Sequence, residues 1–507
     1  MRNEANQSEP NWTFRTICRV GILYWDFAKT RFGKLAKKKK KKKLVKKKKR
    51  KSKRTKRQFL DEEYDVVAIG TSLPTVLICS ILAGEGKKVL LVDSKGDYGS
   101  ETRSFQIEGF FDHFDESITN SSVNFGNNSQ WYLNLITKFF MADGELIQQI
   151  SNMDVLKYLE YKMVENISIF TEKKMLRVTS LLKNLLKMKG LGMFEKRRVK
   201  KFFDFLDQIK NNENNSSKRY ELNETPFETI IKTYNMAKVS RNMIGFGLAL
   251  STNSNYNQEP AINTINRIST FRRSEEKYEE SPFLFPIYGL NELTTSLVRD
   301  IESKQGIILL KKKIGSIKRD TEKRIVGLEI DNKIIKCKQL ITSAEYLPNK
   351  IKSAKQIIRC FCILDHKIPK IDEDSSCIII PHIDLNRKNN IYISCLSPKF
   401  KITANNFYFV TISTVIETSS PHDEILPALE LLGDIKKFFY QISDYFVPIN
   451  NPVKEQIFIT NSFDETLTFE SMFENVQYIL KLIKGEIEFE EESADFIDEK
   501  KEKELNK

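Results

Sequence analysis

The chain is 507 residues long with a formal net charge of +15, which is length enough for more than one domain and a large core. The charge is concentrated at one end: residues 1–60 hold 23 Lys and Arg against three Asp and Glu, and the other 447 hold 59 against 64. The body is therefore mildly acidic, which excludes the basic folded surface of a nucleic-acid binder.

From Lys34 to Arg57 the sequence carries eighteen basic residues. Like charges at this density repel and bury no core, so residues 1–60 are expected to be a disordered extension. Two functional readings stay open for it, a nuclear-localisation-like patch or an anionic-membrane patch. The plainer readings are a solvated tail or a misassigned chain start. Val20–Trp25 is too short and poorly flanked for a signal-peptide core.

Folded sequence is expected from near Asp61. The apolar run Val66–Ile69 ends at Gly70, an apolar helical stretch follows, and Val89–Val92 closes on Asp93. This is the strand–turn–helix–strand of a dinucleotide site, where three glycines allow the tight turn, the approach of a pyrophosphate and helix-on-strand packing. Those places hold Gly70, Ser72 and Thr75. Two added Cβ atoms stand where phosphates would lie, so the frame is expected to persist with no cofactor and no catalysis. Asp93, which would bind a ribose, is expected to cap or brace the loop that follows.

Strand-like runs and short helices continue to about Val178, and a helical block follows. Leu181, Leu182, Leu185 and Leu186 form one apolar stripe; Val199, Phe202, Phe203 and Leu206 form another at helical spacing. Asn211–Ser217 is a polar loop. Val239, Met243, Phe246 and Leu250 mark a further amphipathic helix, weakened by Gly245 and Gly247 at about 1 kcal/mol each relative to Ala. From Pro282 onward β character returns in Ile307–Leu310, Ile325–Ile330, Ile378–Ile380, Ile391–Cys395 and Phe407–Ile416. Pro427–Leu432 and Phe469–Ile483 read as helices. The order predicts an α/β (α+β) protein: a discontinuous multi-sheet domain over 61–178 and 280–485, an inserted all-helical domain over 179–279, and an acidic tail over 486–507.

Seven cysteines contain no CxxC pair, which predicts free thiols in a reducing cytosolic compartment. The four histidines, His113, His366, His382 and His422, lack metal-ligand spacing. No eighteen-residue apolar stretch is present, so no membrane span is expected. Neither a Walker loop nor a G-x-S-x-G elbow occurs.

Several segments in order resemble one family, the Rab GDP-dissociation inhibitors: DEEYDVVAIGT (61–71), GKKVLLVDSKGDYG (86–99), MFEKRRVKKF (193–202), SPFLFPIYGLNEL (281–293), NRKNNIYIS (386–394) and PALELL (427–432). The resemblance spans Asp61 to about Glu491. It implies a sheet domain similar to flavin monooxygenases (an FAD/NAD(P)-binding-like fold) and a smaller helical domain. It also implies a non-catalytic, monomeric carrier in the cytoplasm with transient contact to membranes. The partners implied are GDP-bound, geranylgeranylated Rab GTPases, and no nucleic acid.

Matched to the family's motifs, a Rab-binding platform falls on Tyr98, Glu292 and Arg299, with Ile308 and Leu309 where the family has an aromatic and a Met. Taken alone, Glu292 and Arg299 read as an ordinary surface charge pair. Ser100, Asn291 and Gln305 replace family glycines, and Ser129 replaces a basic residue beside Trp131. The helical block is implied to hold the lipid, with Leu182, Leu186, Met193, Phe246 and Leu250 as candidates and room made by the glycines of Gly245–Leu250. Without the resemblance these stripes read as core. The run Lys196, Arg197, Arg198, Lys200 and Lys201 either meets anionic headgroups or is the solvated face of its helix. Tyr161, Met163 and Val164 fall where the family grips the Rab's C-terminal tail. The Rab escort proteins share the fingerprint and remain an alternative. A flavin-dependent oxidoreductase is the alternative from another class, and it predicts a bound yellow chromophore.

Overall fold

The computed structural model describes residues 63–153, 155–211 and 221–489. The lysine-rich extension and most of both the Asn211–Ser217 loop and the acidic tail lie outside them.

The chain opens with β1 (Tyr64–Ile69), α1 (Leu73–Gly84) and β2 (Val89–Val92). Pro74 opens α1, where its missing N–H costs nothing. Leu73 to Ala83 are all buried, as expected of a helix apolar all round. Next come α2 (Ile107–His113), β3 (Phe140–Met141), α3 (Glu145–Asn152), β4 (Tyr161–Met163), β5 (Asn166–Thr171) and β6 (Lys174–Arg177). A helical stretch then holds α4 (Leu182–Lys187), α5 (Met193–Asn211), α6 (Phe227–Lys232) and α7 (Ala261–Tyr278). Between α6 and α7 the helix Lys238–Asn242 widens into a π-helical turn, Met243–Leu248. Among the described residues no strand stands between β6 and β7 (Phe283–Pro286).

After β7 the order is α8 (Asn291–Ser303), β8 (Ile307–Leu309), β9 (Ile314–Arg319), β10 (Ile325–Ile330) and β11 (Lys333–Ser343). The chain continues through β12 (Ile351–Leu364), β13 (Ser376–Ile380), β14 (Ile391–Leu396) and β15 (Tyr408–Val415). It ends in β16 (Lys437–Pro448), β17 (Ile457–Thr460) and α9 (Glu470–Lys484). The helix expected over Pro427–Leu432 is instead a pair of single turns, Pro421–Glu424 and Leu426–Leu429.

The first sheet runs β8-β2-β1-β11-β10-β9, with β17 also pairing β11. β1 is parallel to both β2 and β11, in register Val66 to Val89 and Ile69 to Thr342. The second sheet runs β16-β12-β15-β14-β13-β5-β6, and β3-β7-β4 form a small third. Both large sheets draw strands from either side of the helical stretch. One hydrophobic core unites Val66, Leu77, Phe110, Phe202, Phe271 and Val476. A second lies on the other face of the second sheet, where Ile425, Ala428 and Leu432 cover Ile358, Ile393 and Ile412. The six described cysteines are free and buried. No helix of the described residues is long and apolar enough to cross a membrane, and none of their acidic, His or Cys groups cluster to hold a metal.

Lys138 is a buried exception to the apolar core. Its ammonium pairs with Asp464 and donates to Thr466 O at 2.7 Å and Thr468 O at 3.0 Å, tying the entry to α9 against β3. Burial acts against the charge on Asp464, but the Lys138 ammonium outweighs it and holds the carboxyl well below its usual range. Removing one partner strands the other charge. Lys138→Ala is therefore expected to cost about 3–5 kcal/mol of unfolding free energy by denaturant titration; a loss under about 1 kcal/mol would contradict this role.

Candidate docking surface

The β1–α1 turn is filled by its own side chains. Gly70 has φ +88°, and a Cβ there would lie 2.6 Å from Tyr346 Cε2, so the tyrosine ring rests on the glycine where a phosphate would approach. Ser72 Oγ donates to Thr75 Oγ1 at 2.9 Å. Asp93 is buried and fully engaged: it accepts from Thr71 Oγ1 at 2.7 Å, from the Lys95 amide at 2.8 Å and from the Tyr346 hydroxyl at 2.8 Å. Burial, and then the Asp93 carboxylate, push the Tyr346 hydroxyl up, so it keeps its proton as a donor. Asp93 thus braces the following loop, with both carboxylate oxygens already accepting hydrogen bonds from this chain. The cleft beyond Ser72 is about 150 Å³, below the roughly 300–1,000 Å³ of cofactor sites. These residues do not fit an FAD.

The braced loop carries Tyr98 to α8. Gly99 donates to Thr71 O at 3.1 Å. Its φ is +104°, and a Cβ would lie 2.8 Å from Asn291 Oδ1 at the start of α8. Only glycine satisfies both constraints. Tyr98 is half-buried against the core, and its hydroxyl is raised by burial and then by Glu302 of α8. α8 is pinned to α1 by Asp300, which accepts from Ser80 Oγ at 2.5 Å and from Lys304 Nζ at 2.6 Å. Glu292 and Arg299 share one face of α8, seven residues and two turns apart. They are too far apart to be the surface pair expected from sequence alone. Arg299 is exposed, Glu292 half-exposed, and neither side chain has an ion pair or hydrogen bond with another described residue. β8 continues the edge, Ile308 opposite Leu91 and Leu309 opposite Val92, both half-exposed. Tyr98 thus lies on the loop that abuts the start of α8, Glu292 and Arg299 on α8 itself, and Ile308 and Leu309 on the edge strand that follows it.

The lipid candidates are divided. Leu182, Leu186 and Met193 are 41%, 54% and 63% exposed at the elbow between α4 and α5, and Phe194, which the sequence reading did not single out, is 75% exposed beside them. Lys196 Nζ donates across the elbow to Leu186 O at 2.8 Å. Phe194 and Met193 stand off the buried stripe of Val199, Phe202, Phe203 and Leu206, and that phase mismatch was the available signal. The cations after them occupy the solvated side of α5; Lys200 pairs with Asp204 at 2.7 Å. Phe246 is elsewhere, 1% exposed, with ring contacts to Tyr256 at 5.6 Å and His382 at 5.2 Å. The room expected at the glycines is already filled: a Cβ on Gly245 would meet the Tyr256 hydroxyl at 2.0 Å, and one on Gly247 would meet Val178 Cγ2 at 2.7 Å. Leu250, at φ +51°, lines a separate groove.

Tyr161 and Met163 lie half-exposed on β4, opposite Pro286 and Leu284 of β7. Val164 does not join them; it is fully buried and donates its amide to Phe283 O at 2.9 Å. It lies just past the end of β4, where the chain turns it into the core.

The fold and its closed turn define a dinucleotide-binding-like scaffold whose turn is filled by its own side chains. A family model described as GDP dissociation inhibitor matches residues 60–494. Rab GDP dissociation inhibitor beta of Rattus norvegicus is 33% identical over 435 residues, covering 85% of this chain and 97% of the relative. That of Canis lupus familiaris is 33% identical over 436 residues, with the same coverage. The crystal structure of Rab GDI from Plasmodium falciparum superposes with a TM-score of 0.78 at 30% identity, covering 84% of this chain and 98% of that one. An oxidoreductase from Methanosarcina mazei, at 12% identity and a TM-score of 0.52, shares the fold alone. The chain belongs to the GDP dissociation inhibitor family.

Gly99→Ala should force the Tyr98 loop off α8. The expected cost is about 1–3 kcal/mol of stability, read as a lowered melting temperature, and an unshifted melting curve would refute the contact.

Proposed function

We propose that this protein binds prenylated, GDP-bound Rab GTPases, slows GDP release, and carries them off membranes through the cytosol. The observation that carries the reading is on α8 and the loop against its start, where Glu292 and Arg299 have no ion-pair or hydrogen-bond partner among the described residues and Tyr98 precedes the glycine that abuts Asn291. Such an arrangement suits an external partner, with the aromatic as anchor and the charges as directional contacts. The exposed elbow of Leu182, Leu186, Met193 and Phe194 supports the lipid half. Each CH₂ of a prenyl chain taken from a bilayer loses about 0.8 kcal/mol unless it is covered again, and this elbow offers apolar cover. Tyr161 and Met163 suit the tail between the GTPase and its lipid. Function further requires tighter binding of the GDP state than of the GTP state, since only differential affinity shifts the equilibrium.

Incubated with liposomes bearing prenylated Rab·GDP, the purified protein should move Rab into the supernatant; Rab still on the vesicles at saturating protein defeats the proposal. If the chain instead supports prenylation of unmodified Rab by geranylgeranyltransferase, the escort role replaces it. Arg299→Ala should weaken Rab capture at least tenfold with an unchanged melting temperature, and unchanged capture would remove Arg299 from the platform. Phe194→Asp should abolish extraction yet leave binding of unprenylated Rab·GDP intact.

A further inference from the structure

A groove of about 570 Å³ lies between the start of α3, the segment 249–259, α7 and the first turns of α9. Its floor includes Leu146, Leu250 and Phe473. Its walls carry four carboxylates, Glu145, Glu259, Glu470 and Glu474, against a single guanidinium, Arg267. That guanidinium is committed to Glu259 at 3.3 Å and Thr264 at 3.1 Å, and Glu145 accepts from Gln477 at 2.9 Å. Two buried polar atoms lining the groove have no hydrogen-bond partner: Ser251 Oγ, on a residue 7% exposed, and Glu470 Oε2. A buried acceptor left unmade costs on the order of 1–3 kcal/mol, so these atoms mark where an external donor would be stabilised.

We propose that this groove is a binding site for an aliphatic ammonium, a primary amine on an apolar stem. The three N–H donors match the free acceptors of Glu470, Ser251 and Glu474, and the stem matches Leu146, Leu250 and Phe473. The site is separate from the platform edge and from the α4–α5 elbow, and it does not depend on the Rab reading.

The surrounding charges set its pH dependence. Burial pushes the Glu470 carboxyl up to about 7, with Glu474 adding to the rise and Thr468 and Lys138 opposing it. Glu474, at the exposed lip of the groove, is raised by partial desolvation and then by Glu145 of α3, opposed by Arg267 of α7, with Asp464 raising it further. Above pH 7 Glu470 is charged and attracts the cation; below it, protonation removes that attraction.

The test titrates the full chain by calorimetry with n-octylammonium, with n-octanol and octanoate as controls. A parallel titration uses an end-capped pentapeptide with one central lysine, paired with its norleucine analogue. Octylammonium should bind one site at least tenfold more tightly than octanol at pH 8. That preference should fall by up to about tenfold between pH 8 and pH 6 as Glu470 takes its proton. Ser251→Ala and Glu474→Gln should each weaken binding severalfold, and Glu474 is exposed, so its variant will fold. Binding of the lysine peptide over the norleucine peptide assigns the ligand as a protein side chain; binding of octylammonium alone assigns a free amine. Equal affinity for octanol and octylammonium, or affinity untouched by Glu474→Gln, overturns the site.

Discussion

A buried carboxylate costs several kcal/mol unless hydrogen bonds satisfy it, and Asp93 meets that demand by gathering three separate pieces of chain. Thr71 comes from the β1 turn, Lys95 from the loop beyond β2, and Tyr346 from the end of β11. The clasp fixes where the loop leaves the sheet and so where Tyr98 emerges. Asp300 does the same for α8 through Ser80 and Lys304. The two carboxylates hold in place the loop of Tyr98 and the helix of Glu292 and Arg299, the elements that carry the proposed docking residues.

Much of this was legible in the sequence. The β1–α1–β2 unit read directly because its apolar runs are buried on both faces, and β8, β10, β13, β14 and β15 read from stretches rich in β-branched and aromatic residues. The long strands β11, β12 and β16 did not. β11 starts with Lys333, Lys336 and Lys338 alternating into solvent and ends in Leu340 to Ser343 buried on both faces, so no single period runs its length. β12 changes character in the same way after Gln356.

At the candidate site the same limit applied to anything set by distant packing. Glu292 and Arg299 were found through motif resemblance. Tyr346, 276 residues along the chain from Gly70, carried no local signal. Gly245 and Gly247 suggested space, but that space belongs to Tyr256 and Val178. Phe246 is buried within the π-helical turn, and Val164 is buried just past the end of β4.

The proposed activity assigns charge to one surface and grease to another. Exposed apolar side chains such as Phe194 and Met193 are an aggregation hazard alone; the lysines and arginines around them hold the elbow in solution between encounters. Two modest contacts on one rigid body act together, since engaging the first raises the effective concentration of the second.

Closure of the β1–α1 turn is shared among several side chains. Restoring glycine at Ser72 and Thr75 would leave the Tyr346 ring on Gly70 and Asp93 still occupied. Reopening the turn therefore takes several changes at once, at Ser72 and Thr75, at the Tyr346 ring and at the contacts of Asp93, and no single substitution achieves it.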